Sequence, residues 1–175
     1  MKALRIIGGI ILIILAIFFI GGTLLPKTYS IHRSILINAP DSVVYMNVAD
    51  MNNFLKWNPW LKTEPSAKVT ISGPSAAPGN LWEWQGEELG MGQMELLRVN
   101  PYSSLEYELK FLEPFESSAI STFSFEKTAE GTNVVWGLQG EAQNMGDRWM
   151  GLFMDMMMDK DFTNGLQSLK ELSEQ

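Results

Sequence analysis

Outside the N-terminus the chain has one long segment of helical period, Asp147 to Leu172 (DRWMGLFMDMMMDKDFTNGLQSLKEL), and the five stretches before it read as strands. That pairing constrains the fold most, because strands with one apolar face must bury it and the sequence offers a single long helix as cover. In the second half of the segment Phe162, Leu166 and Leu169 recur at i, i+4 and i+7, while Gln167, Lys170 and Glu171 turn elsewhere. In the first half Trp149, Phe153, Met156 and Met157 share a face. At ~100° per residue that face lies more than a quarter-turn from the Phe162 stripe. Two stripes so placed cannot meet one flat surface. The spacing therefore predicts a kink or break near Asp159-Lys160-Asp161, where an aspartate can cap a new helical start. Such a segment closes a sheet and leaves room beneath it.

The strand signals fall at hairpin spacing: Leu81 to Gly86, Gly92 to Val99, Ser104 to Phe111, Ser117 to Glu126 and Thr132 to Glu141. Gly90 and Gly92, Asn100-Pro101, Glu113-Pro114 and Glu130-Gly131 supply the turns. Leu105, Tyr107, Leu109 and Phe111 alternate with Glu106, Glu108 and Lys110, which gives one dry and one wet face, as in an antiparallel sheet. Earlier, Tyr29, Ile31, Ile35 and Ile37 alternate with Ser30, His32 and Ser34 as a first strand, and Lys68 to Ile71 reads as another. Between these two come short helices at Ser42 to Ala49 and Met51 to Leu55, then Trp57-Asn58-Pro59-Trp60, where Pro59 predicts an extended turn between two indoles. The expected fold is α+β, an antiparallel sheet curled around a long C-terminal helix.

Before this domain, Ile6 to Leu25 carries no charge, and at ~1.5 Å per residue it spans the ~30 Å core of a bilayer. The run is too long for a signal-peptide core and lacks a clean small-x-small cleavage site, so residues 1–27 read as a retained anchor and 28–175 as the domain. The basic residues around the span favour a cytoplasmic N-terminus and an extracytoplasmic domain. Three of the thirteen basic residues, Lys2, Arg5 and Lys27, precede Thr28, whereas all twenty acidic residues follow it. So acidic a domain disfavours nucleic acid and anionic headgroups as partners. The chain has no cysteine, which excludes disulfides, thiolate catalysis and Cys-ligated zinc.

Taken in order, Asn38-Ala39-Pro40, Val48-Ala49-Asp50, Trp57-Asn58-Pro59-Trp60, Trp84-Gln85-Gly86 before Gly90-Met91-Gly92, Gly131-Thr132-Asn133-Val134 before Trp136, and the closing Gly165-Leu166-Gln167-Ser168-Leu169-Lys170 resemble the START and polyketide-cyclase (SRPBCC) superfamily. The likeness runs from Thr28 to the C-terminus and is that of a membrane-anchored, bacterial-type member. It implies the helix-grip fold, with a cavity between sheet and C-terminal helix that takes lipids, sterols, polyketides or other apolar ligands. It implies no shared catalytic residue.

The only histidine, His32, alternates with the apolar residues of the first strand and reads as solvent-facing. Asp147, Asp155, Asp159 and Asp161 lie along one segment, of which Asp155 and Asp159 share a face that reads as a solvated helix surface, and neither a metal site nor an organic cofactor is expected. The aromatic and methionine residues are more informative. Trp57, Trp60, Trp82, Trp84, Tyr107, Phe111 and Trp136, with Met150, Phe153, Met154 and Met157 from the C-terminal segment, are the expected cavity lining. The leading functional expectation is a membrane-tethered binding domain for a lipid-like or other apolar small molecule. One alternative is a cyclase- or dehydrase-like enzyme, which needs Tyr107, Glu95, Arg98 or Gln139 to converge in the cavity. Another is a module with a collapsed cavity whose Met-rich segment docks a protein partner.

Overall fold

Alternation along the strands builds one curled sheet. The computed structural model describes residues 2–175; Met1, counted above with the anchor, lies outside the described residues. Seven strands pair antiparallel in the order β1-β7-β6-β5-β4-β3-β2. They are β1 (Thr28–Ile37), β2 (Lys68–Ser72), β3 (Leu81–Gln85), β4 (Met91–Asn100), β5 (Ser104–Glu113), β6 (Ser117–Thr128) and β7 (Gly131–Glu141). All but the short edge strand β2 bury an apolar set on the concave face: Ile31 and Ile37, Trp82 and Trp84, Met94 and Leu96, Leu105, Tyr107 and Leu109, Phe123 and Phe125, Val134 and Trp136. A register shift between Leu96 and Arg98 bends β4, as a bulge does.

Three short helices bridge β1 and β2: α3 (Asp41–Ala49), α4 (Met51–Trp57) and α5 (Pro59–Thr63). The third is one more than the sequence predicts. Pro59 does force Asn58 into an extended conformation, but the Asn58 side chain then accepts the N–H groups of Trp60 and Leu61, and proline at the first helical position starts a helix. Asp50 caps α4 in the same way, through the Asn52 N–H.

The C-terminal helix α6 (Met145–Ser173) is continuous over 29 residues, so the expected break at Asp159 to Asp161 does not occur. Asn144 and Asp147 form a reciprocal capping box at its start. Asp161 caps nothing; its carboxylate accepts the Trp60 indole N–H at 3.2 Å. No break is needed because the two stripes do not meet the same surface. Phe162, Gly165, Leu166 and Leu169 are buried on the sheet, whereas Phe153, Met156 and Met157 face outward. Gly165 allows the close approach, since a Cβ there would stand 2.7 Å from the Trp136 ring and 3.3 Å from Pro59.

The N-terminal helix runs as α1 (Lys2–Ala16), a π-helical stretch (Ile17–Gly21) and a last turn, α2 (Gly22–Leu24). Its stretch Arg5–Leu24 is long and apolar enough to cross a membrane. The helix ends because Leu25, preceding Pro26, is extended. Its final turns rest on the start of α6: Trp149 donates its indole N–H to the Phe18 carbonyl at 3.1 Å, and Arg148 reaches the Gly22 carbonyl at 3.1 Å.

Candidate functional site

Between sheet and α6 lies a cavity of about 240 Å³. Its floor is Trp82 and Trp84 of β3, Met94 of β4, Leu109 and Phe111 of β5, Ser121 of β6, and Trp136 and Leu138 of β7. Met158 and Phe162 of α6 close it from above, with Phe54 of α4 and Trp60 of α5 at the side. Glu88 and Leu89, in the loop from β3 to β4, complete the wall. The aromatic floor is locked in place. Trp136 stacks between Phe123 at 5.2 Å and Phe162 at 4.1 Å, and Trp82 leans on Trp84 at 4.7 Å between ring centroids.

Besides Glu88 in the loop, two polar groups interrupt this apolar lining. Ser121 accepts the Trp136 indole N–H at 3.0 Å and, as a hydroxyl, has a proton of its own to give. Trp82, only 3% exposed, has an indole N–H that finds no hydrogen-bond partner among the described residues. A buried donor left unmatched costs about 1–3 kcal/mol, so this one is a standing demand for an acceptor.

The loop at the wall is held by a residue that sequence reasoning missed. Glu64, buried at the end of α5, accepts the backbone N–H groups of Glu87 at 2.7 Å, Glu88 at 3.1 Å and Leu89 at 2.9 Å. The bonds from Leu89 and Glu87, helped by that from Glu88, outweigh the opposing desolvation and hold its carboxyl below the usual glutamate range. A lone glutamate after a short helix carries no distinctive signal for this role.

Of the expected lining, Trp60, Trp82, Trp84, Phe111 and Trp136 come together around the cavity. The others lie elsewhere. Trp57 is core behind the wall, edge-on to Trp136 and donating its indole N–H to the Asn47 carbonyl at 2.8 Å. Tyr107 is fully buried, its hydroxyl donating to the Val48 carbonyl at 2.8 Å, and desolvation pushes its pKa up. Met150, Phe153 and Met157 are exposed, and Met154 faces β1 beside Tyr29 and Ile31. The reason is helical geometry. With α6 unbroken, Met158 falls one turn before Phe162 on the sheet side and reaches the cavity, while Met157, ~100° round, turns away. Met94, Leu109, Leu138 and Phe54 were legible as apolar positions but not as cavity wall.

The polar residues required for the enzyme alternative do not converge in this cavity. Glu95, Arg98 and Gln139 sit on the outer face, where Arg98 pairs with Glu106. His32 is exposed on that face, as its alternation predicts. Asp155 and Asp159 are not simply a solvated surface: both bind Arg33 of β1, at 2.9 and 2.8 Å, clamping the edge strand to α6. Among the described residues no group of three or more side chains is placed to hold a metal ion.

Solved structures share this architecture at low sequence identity. Protein MLL2253 from Mesorhizobium loti superposes with a TM-score of 0.59 at 16% identity, covering 82% of this chain and 95% of that one. Protein CV1439 from Chromobacterium violaceum gives 0.58 at 18%, covering 86% and 99%. The di-domain aromatase/cyclase StfQ of the steffimycin biosynthetic pathway gives 0.61 at 10%, covering 85% of this chain and 51% of its own. No curated protein sequence matches. The sequence profile described as polyketide cyclase / dehydrase and lipid transport matches residues 28–174, and the chain belongs to that family.

Proposed function

We propose that this chain is a membrane-tethered binding domain that holds an apolar small molecule, or the apolar end of a lipid-like one, between the sheet and α6. The observation that carries the reading is the apolar cavity with the unpartnered Trp82 N–H in its wall. An apolar cavity of ~150 Å³ stays dry and takes benzene, so the larger space here suits a bicyclic or branched apolar group. It is smaller than the ~300–1,000 Å³ of sites that enclose a drug-sized ligand, which favours a compact molecule or one inserted end. An oxygen on that group would accept from Trp82. The absence of converging acid and base groups in the wall supports binding over catalysis, and an open cavity supports ligand over protein docking. The apolar Arg5–Leu24 helix supports the tether.

Native mass spectrometry of the chain from Thr28 onward, with folding checked by circular dichroism, tests the ligand. A small-molecule adduct, or uptake of an environment-sensitive apolar dye, is expected. An adduct-free protein that takes up no apolar dye overturns the reading. Tethering is tested by intact mass in the membrane fraction; a soluble chain beginning after Gly22 overturns it.

A further inference from the structure

Trp149, Phe153, Met156 and Met157 form a stripe on α6 directly opposite the residues that grip the sheet, and Leu152 widens it. Phe153 is 52% exposed, Met156 72% and Met157 53%. Nothing in the domain uses this face. It is nevertheless covered at one end. Trp149 stacks on Phe18 with planes 15° apart, and Gly21 and Gly22 let the N-terminal helix press against Trp149 and Met145. The outward stripe is therefore the continuation of a surface on which the apolar span already rests.

That contact fixes a depth. Phe18 lies more than one turn inside Arg5–Leu24, and the whole of that stretch is needed to cross ~30 Å of hydrocarbon. A tryptophan bonded to the Phe18 carbonyl must then lie about 9 Å inside the edge of the span, the depth to which the apolar face of an interfacial helix is buried. We infer that the outward stripe of α6 lies in the surface of the bilayer that the N-terminal helix crosses, giving the domain a second, apolar attachment to lipid. The inference rests on the membrane-crossing reading of the span.

The charges fit an uncharged lipid surface. Asp155 and Asp159, which flank the stripe, turn to Arg33, and Lys160, whose stem can lie along apolar surface, continues the stripe itself. With twenty acidic residues in the domain, attraction to anionic headgroups supplies nothing, so apolar burial carries the contact. The docking also orients the cavity. Thr28 pairs with Glu141, Phe111 with Ser117 and Met91 with Glu113, which places Phe111 and the neighbouring Leu89 at the end of the sheet where the span enters. An apolar ligand could pass between lipid and cavity at that end.

Because the chain lacks cysteine, single cysteines can be introduced into the full-length protein for a nitrobenzoxadiazole label. Three sites suffice: Met156→Cys on the stripe, Gln167→Cys on an exposed part of α6, and Ile13→Cys within the span. Each is placed in phosphatidylcholine nanodiscs, which leave both faces open to iodide, with and without nitroxide-bearing lipid. The expected result is that the Met156 label resists iodide several-fold better than the Gln167 label and is quenched by nitroxide lipid, as the Ile13 label is. A Met156 label as open to iodide as that at Gln167, with Ile13 still protected, overturns the inference alone. An Ile13 label open to iodide overturns the membrane-crossing reading, and the inference with it. A Met156 label shielded from iodide but indifferent to nitroxide lipid, with disulfide-linked dimers of the unlabelled variant, means that a second copy covers the stripe and also overturns the inference.

Discussion

The Trp136 indole and the Phe162 ring stack with centroids 4.1 Å apart and planes 20° from parallel, joining the middle of the sheet to α6. Gly165, one turn along, presses its backbone onto the same indole. That indole cannot move aside, being bonded to Ser121 and stacked on Phe123 from below. Gly165→Leu should therefore cost about 1–3 kcal/mol through overpacking, although helix propensity alone favours the change by ~1 kcal/mol. Urea denaturation should show a lower midpoint at unchanged slope.

Met158 and Met157 are neighbours in sequence, but only Met158 is in the cavity wall. Met158→Trp should place a ring in existing space, abolishing uptake of an apolar dye with a loss of less than about 1 kcal/mol in stability. Met157→Trp should leave both uptake and stability unchanged, because that side chain faces outward. Dye titration beside chemical denaturation reads both effects.

Trp82 permits a sharper distinction. Trp82→Phe removes an unsatisfied buried donor, which offsets part of the lost ring burial, so the empty protein should lose less stability than a large-to-small core change usually costs. Affinity for ligands with an acceptor oxygen should fall about five- to tenfold, the worth of one hydrogen bond of ~1 kcal/mol, while hydrocarbon ligands bind as before. Calorimetric titration with matched pairs of ligands, a ketone and its parent hydrocarbon, measures the difference.

The sheet was legible almost strand for strand because its period-2 alternation and turn residues are local properties. The single cover helix followed from the same pattern. The failures lie where two distant segments meet. The stripe carrying Phe153 and Met157 looked like a cavity wall because its apolar character is visible in sequence, whereas the surface it faces is not. Arg33 with Asp155 and Asp159, and Glu64 with the amides of Glu87 to Leu89, are long-range pairings to which no local spacing points. Trp57 and Tyr107 are expected from the sequence as cavity lining, but their bonds to the Asn47 and Val48 carbonyls hold them behind the wall.

Glu64 gives the loop a pH dependence. Its carboxyl titrates below the usual glutamate value of 4.5 in the folded chain, so its contribution is complete above about pH 4.5 and is lost as pH falls through the depressed folded value. Glu64→Gln should be less stable than wild type at neutral pH. The gap in thermal midpoint between the two should narrow steadily below pH 4.5. A gap that does not change with pH would mean that shape, not charge, holds the loop.

The strand order also sets a sequence of events during synthesis. Strands β2 to β7 are laid down beside one another as each is made, but β1, first off the ribosome, has its place at the edge next to β7. The chain between Ile37 and Gly131 takes roughly 5 to 20 s to synthesise at ordinary rates. Throughout that interval β1 waits as an unpaired strand whose apolar face is open. On the proposed tethering, the hydrophobic helix just ahead of it would reach its final environment first and keep the waiting strand beside the site where β7 and α6 arrive. On that reading the segment proposed as the anchor would also hold the nascent chain in place until the sheet's last seam can close.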